Sequence, residues 1–590
     1  MLLQRLVEYA QRPDFGLPPT LYGEAPVRYI VELDGAGRPL NRRPTDTADP
    51  ASHRTRRGLR RLVPHVQRAV GVRPLLLADN AEYTLGLPRA GSRPARVAAC
   101  HDAYLRLLDR CAADGDEPAI AAVRAFLRDD PAARLDLPED YDRGAAITFR
   151  VGEVFPVDLP SVQAFWVAEN DPASGAVRPA PIMQCLVCGR ERPVLGRLQG
   201  KIKGVPGGQP SGVALLSANA DAFESYGLEA SLVAPTCAAC GERFTQALNR
   251  LLADEASRIV LGGVAFIFWT RERVDFSLRD VLAAPKPEQV RGLIVSVHTG
   301  RPMPGVDEAA FYATALSGSG GRAVVREWID TTVGEVRRHL AVWFERQRIG
   351  DPYGGEPRPL GLYALASATV RDPRELAPPT SRALLRAALT DTPLPASLLH
   401  RAVSRNRAER AVTRQRAALI KLVLLGGEPA RTEGTMVQLD PDNTDPAYRC
   451  GRLLAVLEEA QRAAVPGLTA TIVDRFYGTA STAPASVFGR LVRGTQPHLG
   501  KLARDRPAAY RALQRRLEDI QAGIAAFPRT LTLEGQGLFA LGYYHQRAHD
   551  RGEARDAARR HKAGLAHPAD GGPAGDDGAG MEGPEEIEEG

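Results

Sequence analysis

A chain of 590 residues is too long for one hydrophobic core, and its 44% apolar content is ample for two to four domains. The formal charge of +6 hides an asymmetry: from Asp570 onward there are eight acidic residues and no Lys or Arg, leaving about +14 on the body, a surplus that suits an anionic partner such as nucleic acid. The opening Met1-Leu-Leu-Gln-Arg5 is not a signal peptide, the longest apolar run is half a membrane span, and seven cysteines with four in CxxC pairs argue against a disulfide framework, so the expectation is a cytoplasmic protein with no membrane partner.

In chain order, Val27 to Leu33 has strand character, and Asp34-Gly35 signals a turn into a second short strand. Ser52 to Ala78 carries seven arginines (54, 56, 57, 60, 61, 68, 73) and no acid. That run reads either as a solvated basic arm or as a phosphate-contacting loop. Residues 96 to 130 alternate helically, and Ala146 to Val167 is β-like. Phe244 to Leu252 reads as a helix, and Ile259 to Trp269 as one buried strand.

Near residue 375 the pattern turns to long helical periodicity rich in Ala, Leu and Arg, with a polar break at about 426 to 445. Ser397 to Leu425 has seven basic residues against Glu409, and Arg490 to Arg516 has eight against Asp505. One basic helix is usually a solvated face; two such stretches favour a nucleic-acid surface. The expected fold class is therefore α+β. A mixed α/β region spans 1–375 with an inserted zinc-knuckle segment at 185–240, an all-α bundle spans 376–548, and a disordered acidic tail spans 549–590.

Cys185-Leu-Val-Cys188-Gly189 and Cys237-Ala-Ala-Cys240-Gly241 read as two matching knuckles. Each CxxC turn points two thiolates at one metal, so together they supply a tetrahedral set suited to a structural Zn(II). Forty-eight residues separate Cys188 from Cys237, so the metal closes an unusually long excursion. From Gly189 to Asn219 that excursion holds five basic residues and one acid, with many glycines. Glycine permits close backbone approach, Lys and Ser meet phosphate oxygens, and Gln and Asn pair with base edges. The plain alternative is a wet, flexible connector. No GxxxxGK[ST] nucleotide-triphosphate motif occurs.

Leu75 to Gly86, Lys201 to Gly204 through Gln209, Ser211 and Gly212, Ala222 to Gly227, Thr471 to Ser481, Pro484 to Phe488 and Gly537 to Gln546 stand out as long, specific stretches in a fixed order. Through them the chain resembles, over residues 1 to 548, the large subunit of the subtype I-C CRISPR Cascade complex. The resemblance implies a non-catalytic subunit beside the 5′ handle of the CRISPR RNA. It would inspect double-stranded DNA for the protospacer-adjacent motif, aid duplex opening and hold the displaced single strand while the guide reads the target. Its implied partners are the backbone subunit, the crRNA-processing subunit, the small subunit and a recruited helicase-nuclease.

On this reading Gln209, Ser211 and Asn219 read the motif, and Lys201 and Lys203 meet phosphates. Asn80 is a second reader, or equally a turn cap. Tyr477, Tyr543 and Tyr544 either stack on bases or pack in the core, and isolated His545 is given no catalytic role. The helical part resembles the small subunit, for which Met436 is a candidate internal start. The second CxxC departs from the family pattern, so zinc rests on the cysteines of this chain. Two competing readings are a zinc-supported nuclease and an RNA-holding scaffold.

Overall fold

The computed structural model describes residues 1–16, 19, 21–49, 51, 57–66, 71–170, 180–198, 200–218, 220–274, 276–299, 305–353, 357–426 and 436–564. It divides into two compact units. One comprises Met1–Ala283, Thr299–Arg338 and Ala377–Arg382; the other comprises Ala284–His298, His339–Leu376 and the chain from Ala383. Residues 284–298 and 339–375, which the sequence pattern puts before a boundary at 375, thus cluster with the helical unit.

The first unit opens with α1 (Leu2–Ala10), β1 (Tyr22–Leu33), β2 (Thr45–Asp46), β3 (Leu59–Pro64) and β4 (Ala78–Asp79). It continues with α2 (Ala81–Thr84), α3 (Pro94–Asp114), α4 (Pro118–Arg128), β5 (Ala146–Val151) and α5 (Pro160–Glu169). The sheet order is β2-β1-β5-β4, with β3 also on β1; β5 runs parallel to β1. Val27, Tyr29, Val31 and Leu33 recur at period two, so they bury one face of β1 in a core with Ile147, Phe149, Tyr104 and Phe126. Two expectations change. The β-like reading of Ala146 to Val167 stops at Val151, because Pro160 takes the first turn of α5, where a missing N–H costs nothing. The arginine-rich run is partly strand β3, with Arg60 beside Glu24 (3.3 Å) and Arg61 on Asp158 (2.6 Å). Arg54, Arg56 and Arg68 lie outside the described residues.

Further along come β6 (Ile182–Gln184), β7 (Glu191–Pro193), α6 (Ala238–Ala253), β8 (Arg258–Leu261) and β9 (Val264–Thr270). After α7 (Leu278–Ala283) and α8 (Pro287–His298) follow β10 (Ala310–Ser319), β11 (Arg322–Thr332) and α9 (Val333–Gln347). Strands β11-β10-β9-β8 form an antiparallel sheet. The expected single strand Ile259 to Trp269 is thus a hairpin: Gly262 (φ +57) and Gly263 (φ +73) both adopt the left-handed backbone that a tight two-residue turn demands. Leu6 and Val7 of α1, Phe244, Leu248 and Leu251 of α6, and Ala265 and Ile267 of β9 share a second core.

The second unit is helical: α8, α9 from His339, α10 (Leu362–Ser367), α11 (Pro378–Thr390) from Ala383, α12 (Ala396–Glu409), α13 (Arg414–Leu424), α14 (Pro446–Ala464), α15 (Ile472–Ala480), α16 (Phe488–Asp505), α17 (Pro507–Ala522) and α18 (Leu533–Gly564). α14 is buried almost all round, as a central helix should be. It meets α18 at paired glycines: a Cβ at Gly451 would lie 2.0 Å from the Phe539 carbonyl oxygen, and one at Gly542 2.1 Å from that of Tyr448. The expected tail start at 549 falls inside α18, which runs to Gly564; later residues lie outside the described residues. No helix among the described residues is long and apolar enough to cross a membrane.

Candidate metal centre and nucleic-acid interface

Cys185, Cys188, Cys237 and Cys240 place their sulfurs within 4.8 Å of one another. The edge of a zinc–thiolate tetrahedron is about 3.8 Å, so small side-chain adjustments close the set on one ion. The two CxxC motifs are not matching turns. The first fills the turn between β6 and β7, where Gly189 (φ +71) donates its N–H to the Cys185 carbonyl at 2.8 Å. The second enters α6, with Cys237 at the cap position and Cys240 inside the first turn. Gly241 is helical and is required for a different reason: a Cβ there would come 2.7 Å from Leu198 Cδ2.

Burial alone would raise the Cys185 thiol, but backbone N–H groups of Cys188, Cys237 and Val187 aimed at its sulfur hold it at about 7. The Cys237 N–H lies 3.4 Å from that sulfur. Burial raises Cys237 and Cys240, so a cation bound there would have to draw off their protons. Three of the four cysteines are buried, and the donor set is all sulfur. These residues can hold a metal ion as a closed, structural set with no open position for chemistry.

Between the cysteines, the excursion is tied down rather than loose. Ile202 and Val213 exchange both backbone hydrogen bonds, 2.8 Å each way. Asn249 of α6 clamps the same strand-like piece: its Nδ2 donates to the Lys201 carbonyl (3.0 Å), and its Oδ1 accepts from the Lys203 N–H (2.8 Å). A glycine-rich turn between β10 and β11 docks on the other side. Gly318 N–H donates to the Pro206 carbonyl (2.6 Å), Gln209 N–H to Gly320 (3.3 Å) and Ala214 N–H to Gly321 (2.9 Å). Ile202, Val205 and Val213 sink into the second core.

That anchoring leaves Lys201, Lys203, Gln209 and Ser211 exposed. Gln209 and Ser211 sit on one tight turn, closed by the Gly212 N–H on the Gln209 carbonyl (2.9 Å). Asn219 lies outside the described residues. Asn80 is apart from this group: its side-chain oxygen accepts the Glu82 N–H (3.0 Å) and caps α2. Sequence reading missed Asn249 and the Ser317-Gly-Ser-Gly-Gly321 turn. The turn's composition, set between two β-rich runs, was the available signal.

In the helical unit the two basic stretches part company. Of the first, Arg416 and Lys421 are buried, Arg405 and Arg416 pair with Glu409, and the Lys421 ammonium donates to the Arg348 carbonyl (2.6 Å). Much of that charge is internal and so unavailable to a ligand. The second stays outside: Arg490, Arg493, Lys501 and Arg504 occupy one face of α16, opposite buried Leu491, Leu499 and Leu502. Among the described residues none of the four has an acidic partner within ion-pair distance. Tyr477, Tyr543 and Tyr544 are buried, and Tyr543 donates to Glu458 (2.6 Å), so none offers a stacking face. His545 is buried too, with Nδ1 2.9 Å from the Tyr448 hydroxyl.

Fold and site together define a mixed α and β protein built around a four-cysteine cluster and a braced basic loop, joined to a helical unit. A family model described as CRISPR-associated protein (Cas_Csd1) matches residues 3–550. The chain belongs to that family, the large-subunit family of type I-C Cascade, and works in a CRISPR complex with other Cas subunits and CRISPR RNA. No curated protein matches the chain.

Proposed function

We propose that this chain is the non-catalytic subunit that reads the protospacer-adjacent motif in duplex DNA, through the turn carrying Gln209 and Ser211 with Lys201 and Lys203 on the flanking phosphates. The carrying observation is the contrast within one short loop. Its apolar residues Ile202, Val205 and Val213 are buried, while every polar candidate among the described residues faces outward. A reader must hold its donors still before DNA arrives, because ordering them on contact would subtract from the binding free energy. A zinc ion on Cys185, Cys188, Cys237 and Cys240 supplies only a cross-link, fastening both ends of the reader. The α16 face suits a single strand's phosphates: from Arg490 to Arg504 it runs about 21 Å at helical rise. On this reading the chain assists duplex opening, holds the displaced strand, and supports a separate helicase-nuclease in the cytoplasm.

The test uses the assembled complex and a library of duplexes differing only beside the target. Gln209→Ala relaxes discrimination among motifs, by about 1–3 kcal/mol at the position it reads. Lys201→Ala weakens all motifs alike. Equal losses for both across every motif would sink the assignment.

A further inference from the structure

Beyond the reader loop the framed segment changes sign. Between Ala220 and Thr236 it carries Asp221, Glu224 and Glu229 and no Lys or Arg. At its tip, Ser225 and Leu228 close a two-residue turn, with the Leu228 N–H on the Ser225 carbonyl at 2.9 Å. Tyr226 (φ +56) and Gly227 (φ +70) form the bend. Asn or Gly is the ordinary choice where both bend residues are left-handed, and a bulky aromatic there is strained. Among the described residues no packing accounts for the ring, since Tyr226 is 98% exposed.

The base of the turn is nonetheless braced. Glu224 accepts the Ala230 N–H at 3.0 Å, and the Arg322 guanidinium sits 4.0 Å from the centre of the Phe223 ring. Phe223 itself is 52% exposed. The result is a rigid mount presenting one aromatic ring, a second beside it, and a fringe containing exposed Asp221 and Glu229. Tyr is among the residues that dominate binding energy when inserted into a pocket.

We infer that the turn from Phe223 to Leu228 is a protein-docking knob. Tyr226 enters an apolar pocket on another subunit of the complex, and Lys or Arg around that pocket face Asp221 and Glu229. The acidic fringe selects protein over DNA, because it repels a phosphate backbone. The excursion would then have two halves of opposite charge, one for DNA and one for a neighbour.

Complete complexes carrying wild-type chain or Tyr226→Asn are diluted, and retention of this chain is followed by native mass spectrometry. Asn suits the left-handed bend, so the isolated variant should melt no lower than wild type. We expect it to leave the complex at about ten-fold higher concentration or more. A second variant, Asp221→Lys with Glu229→Lys, should also weaken retention, most strongly at low salt. Normal retention of Tyr226→Asn, or stronger retention of the charge variant, overturns the inference. So does an intact complex that has lost DNA affinity, which would make the knob a nucleic-acid contact.

Discussion

Gly318 and Gly208 touch backbone to backbone: a Cβ at 318 would stand 2.1 Å from the Gly208 nitrogen. This contact lets the turn between β10 and β11 lie flat on the loop 201–213, carrying the hydrogen bond from Gly318 to Pro206 with it. Gly318→Ala should therefore push the loop off its support. The expected cost is about 1–3 kcal/mol, by overpacking against backbone that cannot swing aside. Amide exchange at Ile202, Val213 and Ala214 should quicken, and motif discrimination should fall although no DNA-facing side chain has changed. Unaltered exchange at those three amides would show that the turn does not brace the loop.

The proposed function gives Gln209 the reading and Lys201 the holding. With Lys201→Ala, the slope of log affinity against log salt should fall by about 0.9, one phosphate contact on duplex DNA. Gln209→Ala should leave the slope unchanged while flattening the ranking of motifs. Titrations at several salt concentrations would expose the reverse pattern if the roles are exchanged.

Arg493 and Lys501 test the α16 face. If each meets one phosphate, as proposed, replacing both with Ala should lower the salt slope for single-stranded DNA by about 1.4. Because Leu491, Leu499 and Leu502 carry the packing on the opposite face, the melting temperature should stay within about 1 °C. A large loss of stability would mean that these side chains belong to the fold.

Metal removal bears on the cysteine cluster. Freshly purified protein should contain about one zinc per chain. Chelation, or Cys237→Ser, should lower the melting temperature and loosen residues 185–240 together, since one ion on the four cysteines would hold both ends of the excursion. Metal-free protein with unchanged melting would remove zinc from the account.

His545 gives the helical unit an acid limit. Burial holds its pKa at about 3, so the folded state keeps it neutral while the unfolded chain takes up a proton near 6.5. Its contribution to stability is complete above pH 6.5 and is lost as pH falls towards 3, by up to about 1.4 kcal/mol per pH unit. His545→Gln should flatten that decline in denaturant titrations between pH 7 and 4.5. An equally steep decline in the variant would assign it to other groups.

Local chemistry made much of this protein legible before any fold was known. Alternating apolar residues marked β1, helical periodicity marked the C-terminal helices, and the doubled CxxC marked four cysteines that the fold brings together. Each of those signals, including each CxxC taken singly, is written within a few residues. What tertiary structure decided depends on residues far apart in the chain. Asn249 clamps Lys201 and Lys203, and Gly318 supports Gly208 from about a hundred residues away; neither pairing leaves a local trace. Charge shows the same division. Composition gave two basic helical stretches equal standing, but burial took Arg416 and Lys421 inside and left Arg490, Arg493, Lys501 and Arg504 in water. A sequence lists its charges and amides, whereas desolvation, which determines what each can bind, is set only when the elements pack.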